Sequence, residues 1–463
     1  MIDHHKIAFL SASEVLRRLV NAELTITDVH DAIKQKINDC NNKVNAFDSI
    51  AQDIVSLQQG VLHGLPISIK DQIKVAGMPC NFGLDKSANE LAQKNASVVQ
   101  TLLDAGVGVI GKTNLPPYAM DYQSFNRRTG WTTNPWNTDY TPGGSSGGGA
   151  AAVAAGMSYV DIGADLAGSL RIPAAFCGVF SFLPTEGVLA SDGMLPGEGA
   201  LKHFARMGPI ARSVDDLILV WQVLSQTSPM ARKSTKIKLG IYEPAADTVV
   251  DERIRHAFTS ACALFDEGGV DVLSNQAGCI LNDEAYHCYG QIMGYETGEL
   301  IPPIPRWLGR LMGRPAAKRS PHFLSNVHSG QQLNLARYHK AMDIREKLIT
   351  TFDNQFSEYD ALLLPVSRVA TFKHRTPDSD RNGIRDYREP FTIDGHEVGY
   401  LDALTDFTTP VSLVGSPVVT IPLGLDDRGL PVGAQLVGRR GANWDLLYIA
   451  KELSQLLPSL SLE

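Results

Sequence analysis

The sequence predicts an α/β protein folded as one domain behind an N-terminal helical layer, and three observations carry that prediction. The chain has 463 residues, room for one large α/β domain or two ordinary ones. Apolar runs of strand length follow amphipathic stretches of helix length, with a glycine between them, as parallel α/β winding requires. No internal repeat, low-complexity linker or compositional break divides the chain.

Composition narrows the function classes. Hydrophobic residues make up 44% and charged ones 20%, with 50 acids against 42 bases and a net charge of −8. That balance disfavours broad electrostatic binding of nucleic acid or an anionic membrane. No apolar run approaches the roughly 18 residues needed to span a bilayer. The N-terminus has no secretion-type apolar segment, so the expected location is the cytoplasm. The six cysteines, Cys40, Cys80, Cys177, Cys262, Cys279 and Cys288, show no CxxC pair and no cysteine–histidine spacing suited to a metal. They are expected to be buried thiols, with no metal and no cofactor.

The elements follow in order. Residues 12–58 read as helices: Ala12, Val15, Leu16, Leu19 and Val20 recur at helical spacing, and Thr25 or Thr27 caps a second helix carrying Val29, Ile33 and Ile37. Leu65, Ile67 and Ile69 alternate as a short strand that ends on Lys70 and Asp71. A strand-end lysine is ordinarily a solvated rim charge. A helix begun by Ser97 stops at Gly106, and a strand runs over 107–110. Residues 121–142 have no periodicity and form a long loop, a feature that in compact enzymes tends to be functional.

Residues 141–173, TPGGSSGGGAAAVAAGMSYVDIGADLAGSLRIP, place Ser145 and Ser169 in glycine-rich turns. Such turns let the backbone approach a ligand and leave N–H groups free to meet an oxyanion. Gly143, Ser145 and Gly147 satisfy G-x-S-x-G in form, but no hydrophobic strand precedes them as that elbow requires. A phosphate-binding loop would end in GK[ST]. A free linker would not continue into an alanine run and an apolar strand.

Beyond this stretch a helix begins near Ser213, a strand covers 236–242, a helix 251–266 and a strand 270–273. Residues 280–345 read as mainly helical, interrupted at Pro302, Pro303 and Pro305. Arg306, Arg310 and Arg314 would share one helix face there, either a solvated face or an anchor for an anionic substrate or partner. A buried strand over 360–367, a charged surface loop over 373–390, strands over 416–424 and 430–438 and a helix through Trp444, Leu447 and Ala450 complete the chain.

Three phrases occur in a fixed order: GLPISIKD with Lys70, GGSSGG with Ser145 and DLAGSLR with Ser169. With the flanking GKTN, NPWN, GPIARS and SPVVTIPLG, they make the chain resemble the amidase signature enzymes from about residue 12 to 455. The resemblance implies that family's fold, a large mixed twisted β-sheet covered by helices on both faces. It implies one domain over 1–463, with the helical layer over 1–58, the signature core over 59–230 and a variable substrate-pocket half over 231–463. Its expected activity is hydrolysis of a C–N amide bond of a small-molecule carboxamide through an acyl-enzyme on Ser169, with Ser145 relaying protons to Lys70.

A serine hydroxyl needs a base, and none of the 12 histidines has a recognisable triad context. Lysine fills that role only when desolvation or nearby cationic charge makes it neutral. The resemblance further places the oxyanion against the backbone N–H groups of Leu166, Ala167, Gly168 and Ser169. Ser146 and Gly144 support the site, a cis peptide precedes Ser145, and Asp165 and Arg171 form a structural ion pair. The implied partner is a small-molecule amide substrate, with no nucleic acid and no membrane; a homodimer through the N-terminal helices is compatible. The chain departs from the pattern at Ala167, Leu183, Val188 and Pro117.

Two other functions share the motifs: the glutaminase subunit of a tRNA-dependent amidotransferase, and a catalytically silent binding homologue. Silence would show as loss of Lys70, Ser145 or Ser169, and all three are present. The substrate pocket is expected over 280–400, with aliphatic, aryl, ureido and acyl-amino compounds all open.

Overall fold

The computed structural model describes residues 3–54, 59–85, 91–197, 201–228, 236–242, 248–275, 279–299, 315–381 and 384–462. Its strands are β1 (Phe47–Ile50), β2 (Pro66–Lys70), β3 (Gly108–Thr113), β4 (Phe125–Asn126), β5 (Gly130–Trp131), β6 (Val160–Asp165), β7 (Phe180–Leu183), β8 (Arg206–Ala211) and β9 (Lys238–Tyr242). They continue with β10 (Asp271–Asn275), β11 (Ala361–Pro365), β12 (Ser379–Arg381), β13 (Ile384–Asp386), β14 (Phe391–Ile393), β15 (His396–Val398), β16 (Val418–Leu425) and β17 (Pro431–Val437). Eleven of them form one mixed sheet in the order β1-β3-β2-β6-β8-β7-β16-β17-β11-β9-β10, flanked by helices.

Two parallel blocks lie towards the edges of this sheet. β2 runs parallel to β3 and β6, and β9 runs parallel to β10 and β11. Antiparallel strands from β8 to β17 join the blocks. A strand inside a sheet covered on both faces reads as apolar throughout, and β2 is buried along its whole length. Its last residue, Lys70, is therefore interior, so the ordinary expectation of a rim charge fails.

The N-terminal layer is shorter than its sequence predicts. Ser11 begins the helix Ala12–Val20, and Thr25, in a reciprocal capping box with Asp28, begins Ile26–Val44. Thr25 is thus the cap of the two candidates. Asn45, left-handed at φ 53°, ends that helix, a conformation asparagine tolerates better than most residues. Phe47–Ile50 then joins the sheet antiparallel to β3 instead of continuing the helical run to 58.

Other local readings change for tertiary reasons. Ser97 does not cap the helix Ser97–Asp104; its N–H and hydroxyl both bond Asp192, 95 residues away. The stretch 373–390 is not simply a surface loop. It holds β12 and β13, and its Arg385 and Tyr387 are buried against Asp121. Only Cys177 and Cys288 of the six free cysteines are fully buried. Residues 280–345 contain the helices Asp283–Glu299 and Leu324–Gly330 and the start of Leu335–Asn354. Arg306, Arg310 and Arg314 lie outside the described residues. No helix among the described residues is long and apolar enough to cross a membrane.

Candidate active site

Register puts the first functional side chains on one face. Residues two apart on a strand point the same way, so Ser68 and Lys70 share a face of β2. In the β2–β6 ladder Ser68 is level with Asp161, and in the β2–β3 ladder Lys70 is level with Thr113. The helix Gly147–Ala154 packs over this face. Its approach depends on absent side chains: a Cβ on Gly148 would lie 2.4 Å from the Asn114 nitrogen, and one on Gly149 2.0 Å from Asp161 Oδ2.

The turn before that helix delivers the two serines. Gly143 takes φ +83°, which favours glycine, and the Gly144–Ser145 peptide is cis. A Cβ on Gly144 would lie 2.7 Å from the Asp121 carbonyl oxygen. Lys70 Nζ donates to Ser145 Oγ at 2.8 Å and to the Ala164 carbonyl at 3.3 Å. Ser146 Oγ donates to the same carbonyl at 3.2 Å, and its N–H reaches the Ser169 carbonyl at 3.1 Å. Burial pushes Lys70 down to about 7, against the opposing pull of Asp161 and Asp165. A desolvated lysine in that range is half neutral near pH 7 and able to take a proton.

Ser169 follows a turn built by an ion pair. Asp165 and Arg171 are both buried and meet at 2.9 Å. Burial drives the Asp165 carboxyl up, but the Arg171 charge and the hydrogen bonds from Arg171, Leu170 and Gly168 outweigh it and hold the group well below the usual carboxylate range. The pair shapes the turn, since Asp165 also accepts the N–H groups of Gly168 at 2.8 Å and Leu170 at 3.0 Å.

One of the four expected oxyanion donors is thereby committed: the Gly168 N–H points at Asp165, not at the pocket. The N–H groups of Leu166, Ala167 and Ser169 make no hydrogen bond among the described residues. Two peptide planes of this turn are fixed from the carbonyl side, that of the Ala167 N–H through the Leu166 oxygen and that of the Gly168 N–H through the Ala167 oxygen. Tyr289 Oη donates to the Leu166 carbonyl at 3.2 Å, and Tyr122 Oη and Thr408 Oγ1 donate to that of Ala167 at 2.9 and 2.8 Å. In a trans peptide the N–H opposes the carbonyl, so holding the Leu166 oxygen on Tyr289 turns the Ala167 N–H the other way.

Ser145 and Ser169 line one pocket with Gln72, Met194, Leu195, Pro196, Leu201 and Ala205. Ser169 is 8% exposed and Ser145 1%, so Ser169 is the hydroxyl an incoming molecule meets first. Lys70 and the two serines therefore converge, with Asp165, Arg171, Ser146 and Gly144 around them. A hydroxyl beside a second hydroxyl, itself bonded to a half-neutral lysine, can be deprotonated as it attacks a carbonyl.

Sequence reading missed Asp161, Tyr122, Tyr289 and Thr408. For Asp161 a signal existed, a carboxylate flanked by Val160 and Ile162 within a strand-length run. The others carry no local signature. His322, Asp402 and Asp406 also gather, but Arg368, Ser320 and His322 already occupy the carboxylates.

Taken together, the fold and the pocket are those of an α/β protein with a lysine–serine site at the end of the central strand of one parallel block. The chain belongs to the amidase signature family: the Amidase family model matches residues 14–447. A glutamyl-tRNA(Gln) amidotransferase subunit from Alkaliphilus metalliredigens is 28% identical over 97% of this chain and 97% of its own. A solved amidase superposes with a TM-score of 0.79 at 25% identity, over 97% of this chain and 100% of that one. The solved glutamyl-tRNA(Gln) amidotransferase subunit from Thermotoga maritima gives 0.78 at 26% identity, over 100% of both.

Proposed function

We propose that the chain is a hydrolase of a small-molecule carboxamide, with Ser169 as nucleophile, Ser145 as relay and Lys70 as base. The observation that carries this reading is the wholly buried Lys70, 2.8 Å from Ser145 Oγ and pushed down to about 7. Ser169 Oγ attacks the amide carbonyl while its proton passes to Ser145 and that of Ser145 to Lys70. The oxyanion is held by the N–H groups of Leu166, Ala167 and Ser169. Return of the proton through Ser145 to the departing nitrogen leaves the acyl-enzyme, which water then hydrolyses.

A second reading, the glutaminase subunit of a tRNA-dependent amidotransferase, is favoured by the names of the curated relatives. Against it stands the pocket chemistry: its described lining has no basic side chain to receive the α-carboxylate of glutamine.

The test is release of ammonia or amine from a panel of neutral primary and secondary amides and from glutamine. Turnover of a neutral amide is expected, half-maximal in kcat/KM near pH 7 and rising with pH as Lys70 loses its proton. Ser169→Ala and Lys70→Ala are each expected to lower kcat by on the order of 10⁶. Glutamine cleavage alone, stimulated by a co-purifying partner, favours the second reading. Full activity in either variant removes the relay.

A further inference from the structure

We propose that Asp161, a carboxylate outside the relay, is the buried counter-charge that sets the pH at which Lys70 gives up its proton. The inference rests on the relay proposed above and assigns the regulation of its base. Asp161 is fully buried in β6. Its Oδ1 accepts Ser68 Oγ at 2.8 Å and Thr113 Oγ1 at 3.0 Å, while Oδ2 has no hydrogen-bond partner among the described residues and lies against Gly149. An ionised carboxylate can accept two hydroxyls at one oxygen, so both donors favour the charged form. A carboxylate left with a bare oxygen in a dry site is costly unless positive charge is near.

The register supplies that charge. Ser68 is level with Asp161 and Ile69 with Ile162, so the next step brings Lys70 beside Gly163, between Asp161 and Asp165 on the same face. Of these two, Asp165 is already neutralised by Arg171, which leaves Asp161 as the carboxylate with charge to spare. Lys112 also acts on Asp161, but it shares a face with Ile69 and is held by the carbonyls of Asp71 and Pro79, with the Asp71 carboxylate 3.9 Å away. Burial raises Asp161 to about 7, against the hydroxyl bonds and the two lysines. The two groups titrate over the same range, and wherever Asp161 is ionised its negative charge stabilises the Lys70 ammonium, so removing it makes Lys70 a weaker base that is neutral at lower pH.

The test needs no knowledge of the substrate. A sulfonyl fluoride reacts with Ser169 by forming an S–O bond and expelling fluoride, the serine proton passing through Ser145 to Lys70. Its inactivation rate is measured from pH 5 to 9 on the whole chain. Asp161→Asn is expected to move the acidic limb of that profile downward by about one pH unit. The double variant Ser68→Ala/Thr113→Val, which withdraws the donors that favour the anion, is expected to move it the same way by less.

A lowered plateau with the limb unmoved means that Asp161 is only structural and overturns the inference. If Asp161→Asn fails to fold, an unmoved limb in the double variant overturns it equally. A wild type that does not react, or a Ser169→Ala protein that still does, overturns the relay and this inference with it. A reactive wild type with an unmoved limb overturns the inference alone.

Discussion

The segment from β2 to β8 and the segment from the helix Asp283–Glu299 to β17 divide the labour at the pocket. The first supplies every group proposed for the chemistry: Lys70, Ser145, Ser169 and the free N–H groups between them. The second holds those groups in place. Arg171 is gripped by the Thr408 carbonyl, Ser412 and Gln435, at separations of 237, 241 and 264 residues. Tyr289 and Thr408 fix the peptide planes before Ser169. Behind the cis turn, Asp121 collects Tyr387, Tyr400 and Arg385. Reacting groups need fixed mutual spacing and are carried by one compact run of chain. Their support needs only the right atom at the right place, which any distant segment can supply.

The comparison breaks if the supporting half proves dispensable, and the largest expected effect tests that. Arg171→Met leaves Asp165 buried without its partner and releases three contacts with the second half. Breaking such a pair typically costs about 3–5 kcal/mol, to be read as a fall in the urea midpoint. A loss under about 1 kcal/mol would mean that Asp165 keeps its shape without the distant segment.

Tyr289→Phe sharpens the comparison, because it removes one hydroxyl and little volume. It is expected to lower kcat roughly fivefold, the equivalent of about 1 kcal/mol for one hydrogen bond, with KM nearly unchanged. An unaltered kcat would show that the Ala167 N–H keeps its direction without the Tyr289 hydroxyl.

Ser213→Ala gives the smallest effect and serves as the local reference. Ser213 caps the helix Val214–Ser225 by accepting the Asp216 N–H at 3.1 Å. Losing the cap is expected to cost about 1 kcal/mol of stability and to leave kcat intact. A change in kcat would show that the cap is coupled to the pocket.

Legibility followed the same division. Motif residues on adjacent strands and turns are identifiable by type and spacing, and the structure brings Ser145 and Ser169 to one pocket with Lys70 bonded to Ser145 behind it. The expected four-donor oxyanion site loses Gly168, because a spacing rule does not say which way an N–H turns when a carboxylate stands beside it. Asp121 sits in a passage that reads only as a long loop, and its partners Tyr387 and Arg385 in one that reads as charged and exposed. Nothing local distinguishes a tyrosine that will be buried against a carboxylate from one that faces water.

The sequence by itself determined the class of fold, the family motifs, the helix start near Ser213 and the three residues proposed for the relay. Those depend on local periodicity, on turn chemistry and on residue types at short separation. Only the tertiary structure decided that Lys70 is dry and shares its face with Asp161, that Asp165 claims the Gly168 N–H, and that Tyr289 aims the Ala167 N–H. Burial, field and orientation are set by what packs across the sheet and from the far half of the chain, and no local pattern carries them.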